Sequence, residues 1–319
     1  MTIAVRAFRA EDADAWDAFC PGCLQSTLLH TRRFLSYHGD RFVDQSLIIE
    51  EDGVGVGLFP AAESPQDQTV IVSHPGVTYG GVLHQGRLQG ARSLTAFEMI
   101  AAHYASRSRI KLQYKAVPAF YQRVPAQDDL YALFRLGAQR VRCDLSSTID
   151  LHTRLPASQR RRRSLKKAAK AGVSIIEGRQ NLERLWQVLA DNLARKHGVE
   201  PVHSLAEIEL LADRFPGEIR CICAALNQQV VAGTVLFVTP TAFHAQYIAA
   251  SEVGYDVSAL DAVFEHCIAV ATQQGRRWFD FGISTEKGGA VLNDGLYGFK
   301  SEFGGGGMVH EFYELDLSK

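Results

Sequence analysis

The chain has 319 residues, 46% of them hydrophobic and 22% charged, and its formal net charge is −1. This length exceeds the size at which a single hydrophobic core stops growing, so two domains are expected. A net charge near zero gives no field that would favour DNA or an anionic membrane, and no apolar run approaches the ~20 residues that span a bilayer. Residues 1–9 have a strand pattern rather than a signal peptide, and the cysteines form no disulfide-like framework, which predicts a cytoplasmic protein.

Two cysteine pairs have spacings that occur in redox or metal sites. Cys20-Pro-Gly-Cys23 follows the end of a predicted helix, so we interpret it as the turn that ends this helix, and a redox role stays open. A zinc site would need a second matched pair, but Cys221 and Cys223 are expected to point to opposite faces of a strand. We therefore predict no metal site.

The first half of the chain predicts an α/β unit. Residues 3–8 have the alternation of a strand, and residues 48–60 have the pattern of a β-hairpin. Helices are predicted at 28–37 and 94–106, where apolar residues recur every three or four positions, and a further strand at 110–116.

The second half repeats this order of elements. Its predicted strands are 173–177, 219–226, 230–238, 242–250 and 277–283, and its predicted helices are 182–196 and 258–273. This internal repeat predicts two domains, 1–148 and 149–319, joined by a linker at about 143–156.

The stretch from 277 to the C-terminus has the organisation of a functional site. Residues 277–283 form a predicted buried strand, residues 284–292 a glycine-containing loop, and residues 296–303 a short amphipathic helix, before a closing strand at 308–317. In α/β sheets, ligands bind where loops leave the carboxyl ends of strands. We therefore expect the site in this loop and helix.

Motifs in this stretch resemble the end of the FemAB-like acyltransferases. They are Phe279-Asp-Phe-Gly-Ile-Ser284, Leu292-Asn293, Gly295-Leu296, and Phe299-Lys300 followed by Phe303-Gly304. FemAB-like proteins are built from tandem domains of the GNAT (Gcn5-related N-acetyltransferase) superfamily, and the resemblance is strongest over the last half of the chain. It implies an α/β fold of two tandem GNAT-like domains, each with a mixed, mostly antiparallel central sheet and helices on both faces.

The resemblance implies a catalytic role for Lys300. In FemAB-like proteins the lysine of the matching Phe-Lys pair lines the active site, where a cation can stabilise charge on the reacting carbonyl or leaving group. A surface lysine lying along the helix is the alternative. Asn293 and Tyr297 are similar to a GNAT pattern in which the tyrosine protonates the leaving group, and a core tyrosine is the alternative for Tyr297.

A basic segment, Arg160-Arg-Arg-Arg-Ser-Leu-Lys-Lys-Ala-Ala-Lys170, forms a predicted helix. It resembles a basic stretch of FemAB-like proteins, and by that match Arg163 and Lys167 are predicted to bind the phosphates of an anionic substrate. A solvated basic face is the alternative.

The segment that would bind coenzyme A departs from the GNAT pattern. GNAT proteins bind the donor pyrophosphate with a glycine-rich loop at a helix N-terminus, after the fourth strand. The matching segment here, residues 250–259, retains only Gly254. FemAB-like proteins share this departure, and several of them use aminoacyl-tRNA, so the donor stays open between the two, with acyl-CoA favoured.

Polar residues on strand 242–250 could position or deprotonate an amine acceptor. Simple alternation places His244, Gln246 and Ile248 on one face and Ala245, Tyr247 and Ala249 on the other. His244 is a candidate base, with a hydrogen-bonded core histidine as the alternative, and Tyr247 is a candidate positioning group.

Asp280 and Glu286 flank the predicted functional loop. Either carboxylate could hold the ammonium group of an acceptor, so both are candidate substrate-binding residues together with Asn293 and His244.

Three functions remain compatible with the sequence. The favoured one is an acyl-CoA-dependent N-acyltransferase that forms an amide on an amino-sugar or peptide precursor of a cell-envelope polymer. The second is an aminoacyl-tRNA-dependent transferase that acts on a peptidoglycan precursor. The third is a non-catalytic ligand-binding module. No Gly-x-Ser-x-Gly, Walker, His-Glu-x-x-His or dinucleotide-binding motif occurs in a supporting context.

Overall fold

The computed structural model describes residues 2–197 and 200–318. By spatial contact the chain divides into two compact units. Unit 1 comprises Met1–Asp144, Lys287–Ala290 and Val309–Lys319, and unit 2 comprises Leu145–Glu286 and Val291–Met308. The domain limits 1–148 and 149–319 remain a prediction, because the units are defined by contacts rather than by continuous sequence.

The strands in chain order are β1 (Ile3–Ala7), β2 (Leu47–Glu51), β3 (Val54–Phe59), β4 (Ala62–Glu63), β5 (Val70–Val72), β6 (Leu83–His84), β7 (Lys111–Lys115), β8 (Gln139–Asp150), β9 (Ser174–Glu177), β10 (Ile219–Leu226), β11 (Gln229–Val238), β12 (Ala242–Ala250), β13 (Trp278–Ile283), β14 (Thr285–Glu286), β15 (Val291–Leu292) and β16 (Gly306–Asp316). The α-helices are α1 (Ala13–Phe19), α2 (Arg32–Leu35), α3 (Ala91–Ala105), α4 (Asp128–Arg135), α5 (Gln159–Lys170), α6 (Leu182–His197), α7 (Leu205–Arg214), α8 (Glu252–Asp256), α9 (Ala259–Gln273) and α10 (Asp294–Ser301).

Unit 1 distributes its strands over two groups. Strands β1, β2, β3 and β6 pair antiparallel in that order. Strand β5 pairs antiparallel with β4 and parallel with β7, and β7 pairs antiparallel with residues Phe312 to Asp316 of β16. Helix α3 buries Phe97, Ile100 and Tyr104, whose spacing is that of one helix face, in the core of this unit.

Unit 2 contains a mixed sheet in the order β8-β13-β12-β11-β10-β9. Only the β12–β13 pair is parallel. Helices cover both faces: Ala232 lies in the core that contains Phe264 of α9, whereas a Cβ on the adjacent Gly233 would lie 2.9 Å from Leu185 of α6. Successive residues of a strand point to opposite faces, so α9 and α6 lie on opposite sides of this sheet.

A β-bulge at Gln246 changes which residues of β12 share a face. Val235 pairs with Tyr247 and Leu236 with Ala245, so Gln246 is the extra residue. After the bulge Ile248 joins the core on the α9 side, and Tyr247 contacts Trp186 of α6. The predicted faces of Tyr247 and Ile248 are therefore wrong, because simple alternation does not hold across an inserted residue.

The predicted linker at 143–156 is also wrong over its first half. Residues up to Asp150 belong to β8, and Ser146 to Asp150 pair with β13. The segment lacks apolar alternation because Ser146, Ser147 and Thr148 are buried despite being polar.

Two further expectations about the elements need correction. The helix predicted at 28–37 is broken into short 3₁₀ and α segments, with Thr31 capping α2. The Sγ atoms of Cys221 and Cys223 lie 3.6 Å apart on one face, because residues two apart in a strand point the same way.

Cys20 to Gly22 forms a 3₁₀ turn directly after α1, which confirms the interpretation of a helix-ending turn.

Candidate active site

The site begins where two parallel strands of unit 2 separate. Strands β12 and β13 pair only from Ala242–Trp278 to His244–Asp280, and no pairing continues toward their carboxyl ends. Such an end of parallel strands is where α/β sheets bind ligands. His244 and Asp280 therefore stand at the last paired position before the strands separate.

Asp280 and His244 form a buried hydrogen-bonded dyad. The Oδ2 atom of Asp280 lies 2.6 Å from Nδ1 of His244, and the Asp280 side chain is fully buried. The Oδ1 atom accepts a hydrogen bond from the backbone N–H of Gly282 at 3.1 Å and one from the Ser146 hydroxyl. These contacts fix the carboxylate, which in turn holds the imidazole with Nδ1–H donating to it.

This arrangement determines what His244 can do. With Nδ1 bonded to Asp280, the other ring nitrogen, Nε2, is the one that gains or loses a proton, and it lies 3.2 Å from Oε1 of Gln246. Rotation of the Gln246 amide presents either its oxygen or its NH₂ group, so Gln246 can match both states of the imidazole. An Asp–His pair of this kind can act as a general base.

Lys300 is buried at the end of β13. Its side chain on α10 is 4% exposed, and Nζ donates hydrogen bonds to the carbonyl oxygens of Gly282 at 2.8 Å and of Ile283 at 2.6 Å. Both carbonyls lie where the β13–β8 pairing is irregular, at Gly282 with φ of 77°. The alternative of a surface lysine is therefore wrong.

Burial changes the electrostatics of Lys300. Removal from water lowers the pKa of its ammonium from 10.5 to about 8, and the Asp280 carboxylate partly opposes this shift. Two of the three N–H groups bond to the carbonyls, and no other hydrogen-bond partner of Nζ occurs in residues 2–197 and 200–318. One donor of a charged group therefore remains for a ligand.

Tyr297 lies one helical turn before Lys300 and is partly buried. Its hydroxyl approaches Gly307 so closely that a Cβ there would be 3.2 Å away. Residues three apart on a helix share a face, so α10 presents Tyr297 and Lys300 together.

Asn293 and Glu286 have structural partners. The Oδ1 atom of Asn293 caps α10 by accepting the N–H of Leu296 at 3.0 Å, and its Nδ2 donates to Oε1 of Glu286 at 2.9 Å. The Asn293 amide thus fixes the start of the helix that carries Lys300. Glu286 is exposed.

Tyr247 belongs to a separate aromatic cluster. Its hydroxyl hydrogen-bonds to Nδ1 of His203, and its ring packs edge-on against Trp186 at 4.9 Å between centroids. Among the described residues, no hydrogen bond connects Tyr247 with Lys300. Through this hydrogen bond with Tyr247, His203, which precedes α7, connects the segment between α6 and α7 to β12.

The basic helix divides its arginines between two roles. Arg163 and Lys167 are exposed, one turn apart. Arg161 is buried, pairs with Asp261 at 2.7 Å and Glu302 at 2.9 Å, and its guanidinium lies 4.7 Å from the Phe299 ring. Sequence reasoning did not identify Arg161, because its acidic partners lie at least 100 residues away in the chain.

Gly254 packs against backbone. It lies in α8, and a Cβ there would be 2.2 Å from the carbonyl oxygen of Val231 on β11. This close approach is sufficient to explain a glycine at this position without any ligand.

Replacing Gly254 with alanine is therefore expected to lower the stability of the protein, by about 1–3 kcal/mol, since the backbone of β11 has to shift. Thermal unfolding measures this effect. Gly298→Ala is the matched control, because a Cβ on Gly298 meets nothing within 4 Å and alanine favours the helix. Equal melting temperatures for the two variants would contradict the packing role.

Within the described part of the chain, no group of three or more His, Cys, Asp or Glu side chains is arranged to hold a metal ion. The cysteines present there are free thiols. In residues 2–197 and 200–318, no helix has the length and apolar character required to cross a bilayer.

Comparison with known proteins identifies the fold that carries this site. Residues 157–300 match the family described as an acetyltransferase (GNAT) domain. The structure of FemX superposes with a TM-score of 0.68 at 13% identity, covering 98% of this chain and 97% of FemX. The chain has a tandem GNAT fold. The resemblance to FemAB-like proteins and the predicted fold class are confirmed.

Other solved structures superpose over most of the chain as well. L-PGS from Bacillus licheniformis superposes with a TM-score of 0.64 at 13% identity, over 96% of this chain and 91% of that protein. A tandem GNAT protein from the clavulanic acid biosynthesis pathway gives a TM-score of 0.53 at 11% identity, over 100% and 99% of the two chains. At these identities the likeness shows the fold alone. No protein with a curated description matches the sequence.

The place where β12 and β13 separate can be compared with the donor position known for the GNAT fold. In that superfamily the donor lies where the fourth and fifth strands separate, and the fourth and fifth strands of unit 2, counted from β9, are β12 and β13. His244 and Asp280 mark the end of their pairing. The Asp280 side chain is fully buried, and its role in binding an acceptor stays a prediction.

Proposed function

We propose that this GNAT protein transfers an acyl group to an amine, forming an amide on a cell-envelope precursor. The observation that carries the proposal is the buried Lys300 ammonium with one unused N–H, held at the strand end that also carries the His244–Asp280 dyad. A cation with a free N–H can stabilise a developing oxyanion, and an oriented imidazole can accept a proton from an amine.

The proposed reaction is a direct attack. The acceptor amine gives its proton to Nε2 of His244 and forms a C–N bond with the acyl carbon. Lys300 stabilises the negative charge that develops on the acyl oxygen, and the bond from carbon to the leaving group then breaks. The Tyr297 hydroxyl, one turn from Lys300, is the candidate that protonates the leaving group. A covalent cysteine intermediate is not part of the proposal. The hydrogen bond with Cys223, together with burial, raises the pKa of the Cys221 thiol, and burial raises that of Cys267.

Two donor classes fit this reaction, an acyl thioester and an aminoacyl ester. The segment that would bind the pyrophosphate of coenzyme A forms the short helix α8, in which Gly254 has a packing role. The first turn of the next helix, α9, contains Asp261, a carboxylate paired with Arg161. An acidic side chain at a helix N-terminus competes with an anionic ligand for that position.

These observations favour aminoacyl-tRNA over acyl-CoA, although the sequence favoured acyl-CoA. The similar structures point in the same direction. One is FemX, and another is named as a putative lysylphosphatidylglycerol synthetase, whose product carries a lysyl group. Several FemAB-like proteins use aminoacyl-tRNA, as the resemblance implies. An envelope precursor bearing an amine, either a peptide or an amino-sugar, remains the proposed acceptor.

Mass spectrometry of the product separates the candidates. The protein is incubated with a peptidoglycan precursor peptide and either charged tRNA or acetyl-CoA. A mass increase equal to one aminoacyl residue, with charged tRNA only, is the expected result. An acetyl adduct would identify the thioester donor instead. Absence of any product with both donors and with several acceptors, while a precursor still raises the melting temperature, would favour the non-catalytic binding module.

Substitution of Arg163 and Lys167 tests the basic face of α5. If this face binds the phosphates of tRNA, the double variant Arg163→Ala/Lys167→Ala should weaken tRNA binding and reduce its dependence on salt, because each lost phosphate contact removes counterion release. Affinity measured across a salt series provides the slope. Arg107→Ala/Arg135→Ala, which removes two exposed arginines of unit 1, is the control. An unchanged slope would identify the basic face as solvated surface.

A further inference from the structure

Unit 1 contains a pocket that the proposed acyl transfer does not use. Its volume is about 420 Å³, and its walls come from β7, β16, the start of β8 and the loops that precede and follow β5. Two cationic side chains, Lys115 and Arg142, line it together with the rings of Phe42, Phe312 and Tyr313. Pockets that combine apolar walls with a few polar groups are the usual form of small-molecule sites.

Lys115 is a partly buried cation without an acidic partner. Its Nζ donates hydrogen bonds to the carbonyl oxygens of His74 at 3.0 Å and of Val77, and lies 3.4 Å from that of Pro75. No carboxylate among the described residues pairs with it. Burial, together with the nearby Arg142 guanidinium, lowers the pKa of Lys115 to about 7. An ammonium held in this way is stabilised by any anion that enters the pocket.

Arg142 adds a second, more exposed cation. Its Nε and Nη2 atoms bond to Asp144 at 2.8 Å and 2.7 Å, and the guanidinium lies 4.5 Å from the centre of the Phe312 ring. The Nη1 atom has no hydrogen-bond partner in the part of the chain that the structure describes. Since Asp144 neutralises Arg142, the uncompensated charge of the pocket is that of Lys115.

We propose that this pocket binds a small organic anion in which a carboxylate or a monophosphate is joined to a planar ring. The anionic group takes the position next to Lys115 and the free N–H of Arg142. The ring packs against the aromatic side chains of Phe42, Phe312 and Tyr313 that line the pocket.

Binding should be coupled to proton uptake. The charged and titratable groups near Lys115 are Arg142 on β8 and His74 after β5, whose ring stacks on that of His38. Tyr114, the preceding residue of β7, points to the opposite face of the strand and hydrogen-bonds to Asp129. Burial and neighbouring cations, including His38 and Lys115, hold the pKa of His74 well below its usual value, and burial with the Asp129 carboxylate raises that of Tyr114. An anion raises the pKa of Lys115, so at pH 8, above the value of about 7, anion binding should be accompanied by net proton uptake.

Calorimetry with the full chain tests the proposal, with benzoate and phenyl phosphate as anions and benzyl alcohol as the uncharged analogue. Titration at pH 8 in two buffers of different ionisation enthalpy gives the affinity and the proton count. We expect binding of at least one anion with net proton uptake, and affinity for benzyl alcohol at least roughly tenfold weaker. Preference for phenyl phosphate or for benzoate identifies the anionic group.

Variants assign the effect to the pocket. Lys115→Met should abolish the proton uptake and weaken anion binding at least roughly tenfold, and Arg142→Ala should weaken it less, because Asp144 already neutralises Arg142. Arg107→Ala, an exposed charge outside the pocket, is the control. If Lys115→Met fails to fold, the wild-type proton count and Arg142→Ala decide. Absence of binding by both anions, equal binding of benzyl alcohol, or proton uptake that persists in Lys115→Met would overturn the proposal.

Discussion

Replacing Lys300 with methionine is expected to lower turnover by about 10²–10³, the usual effect of removing one donor that stabilises an oxyanion. The cation is held by Gly282 and Ile283, so its remaining N–H has a defined direction relative to the end of β13. Lys300→Gln should lose almost as much activity. Glutamine can still donate to a carbonyl but carries no charge.

Lys300→Gln separates an effect on chemistry from an effect on folding. Because Lys300 is buried, methionine leaves the two carbonyls without their donor, and the melting temperature of Lys300→Met should fall. Substitution of a surface lysine would not have this effect. Lys300→Gln restores part of that bonding. Lys111→Met, which removes a more exposed lysine paired with Glu314, is the charge-matched control. Full turnover in Lys300→Gln, measured well below its melting temperature, would remove Lys300 from the mechanism.

The lowered pKa of Lys300 also predicts opposite effects of pH on activity and stability. Above about pH 8 the folded protein loses this proton, so turnover should decline. Between about pH 8 and 10.5 the unfolded chain still binds the proton that the folded protein has released, so the Lys300 contribution to stability rises with pH. The difference in free energy of unfolding between wild type and Lys300→Gln isolates this contribution, because the other titrating groups are present in both proteins and their contributions cancel.

Disruption of the His244–Asp280 dyad is expected to have a comparably large effect. His244→Gln removes the proposed base, and general bases contribute typically ~10²–10⁴ in rate. The loss of activity should persist when kcat is measured well below the melting temperature of the variant. A structural histidine would lower the melting temperature but leave kcat near the wild-type value under those conditions.

Asp280→Asn tests orientation rather than proton transfer. The asparagine amide accepts the Nδ1–H of His244 with an uncharged oxygen, which stabilises the imidazole less than a carboxylate does. The substitution should therefore lower kcat with little change in KM. His266→Gln is the matched control, because His266 forms a similar pair with Glu177 at 2.7 Å on the surface of the same unit. If His244→Gln and His266→Gln have the same activity, His244 is not the base.

Local sequence patterns were sufficient for most of the elements and, through the resemblance to FemAB-like proteins, for one catalytic candidate. The order of elements was predicted because apolar residues recur at helical or strand spacing within single segments, such as Leu182, Leu185 and Leu189 on α6. Lys300 was identified because the Phe-Lys motif and the short helix around it are contiguous in the chain. Signals of this kind depend on neighbouring residues only.

The partners of charged groups were decided by the tertiary structure. His244 and Asp280 are 36 residues apart, and Arg161 and Glu302 are 141 apart, so no spacing in the sequence connects them. The sequence therefore selected Arg163 and Lys167 in the basic helix but gave no reason to distinguish Arg161, which packing buries.

The faces of β12 and the burial of Lys300 show the same division. Alternation predicts the face of each residue only while a strand stays in register, and the bulge at Gln246 depends on pairing with β11. Likewise, a lysine on an amphipathic helix is expected at the surface, and only the irregular end of β13 supplies two carbonyls that hold it inside. The sequence by itself determined the elements and the motif, whereas the tertiary structure decided which side chains meet, because those contacts depend on register and packing between distant segments.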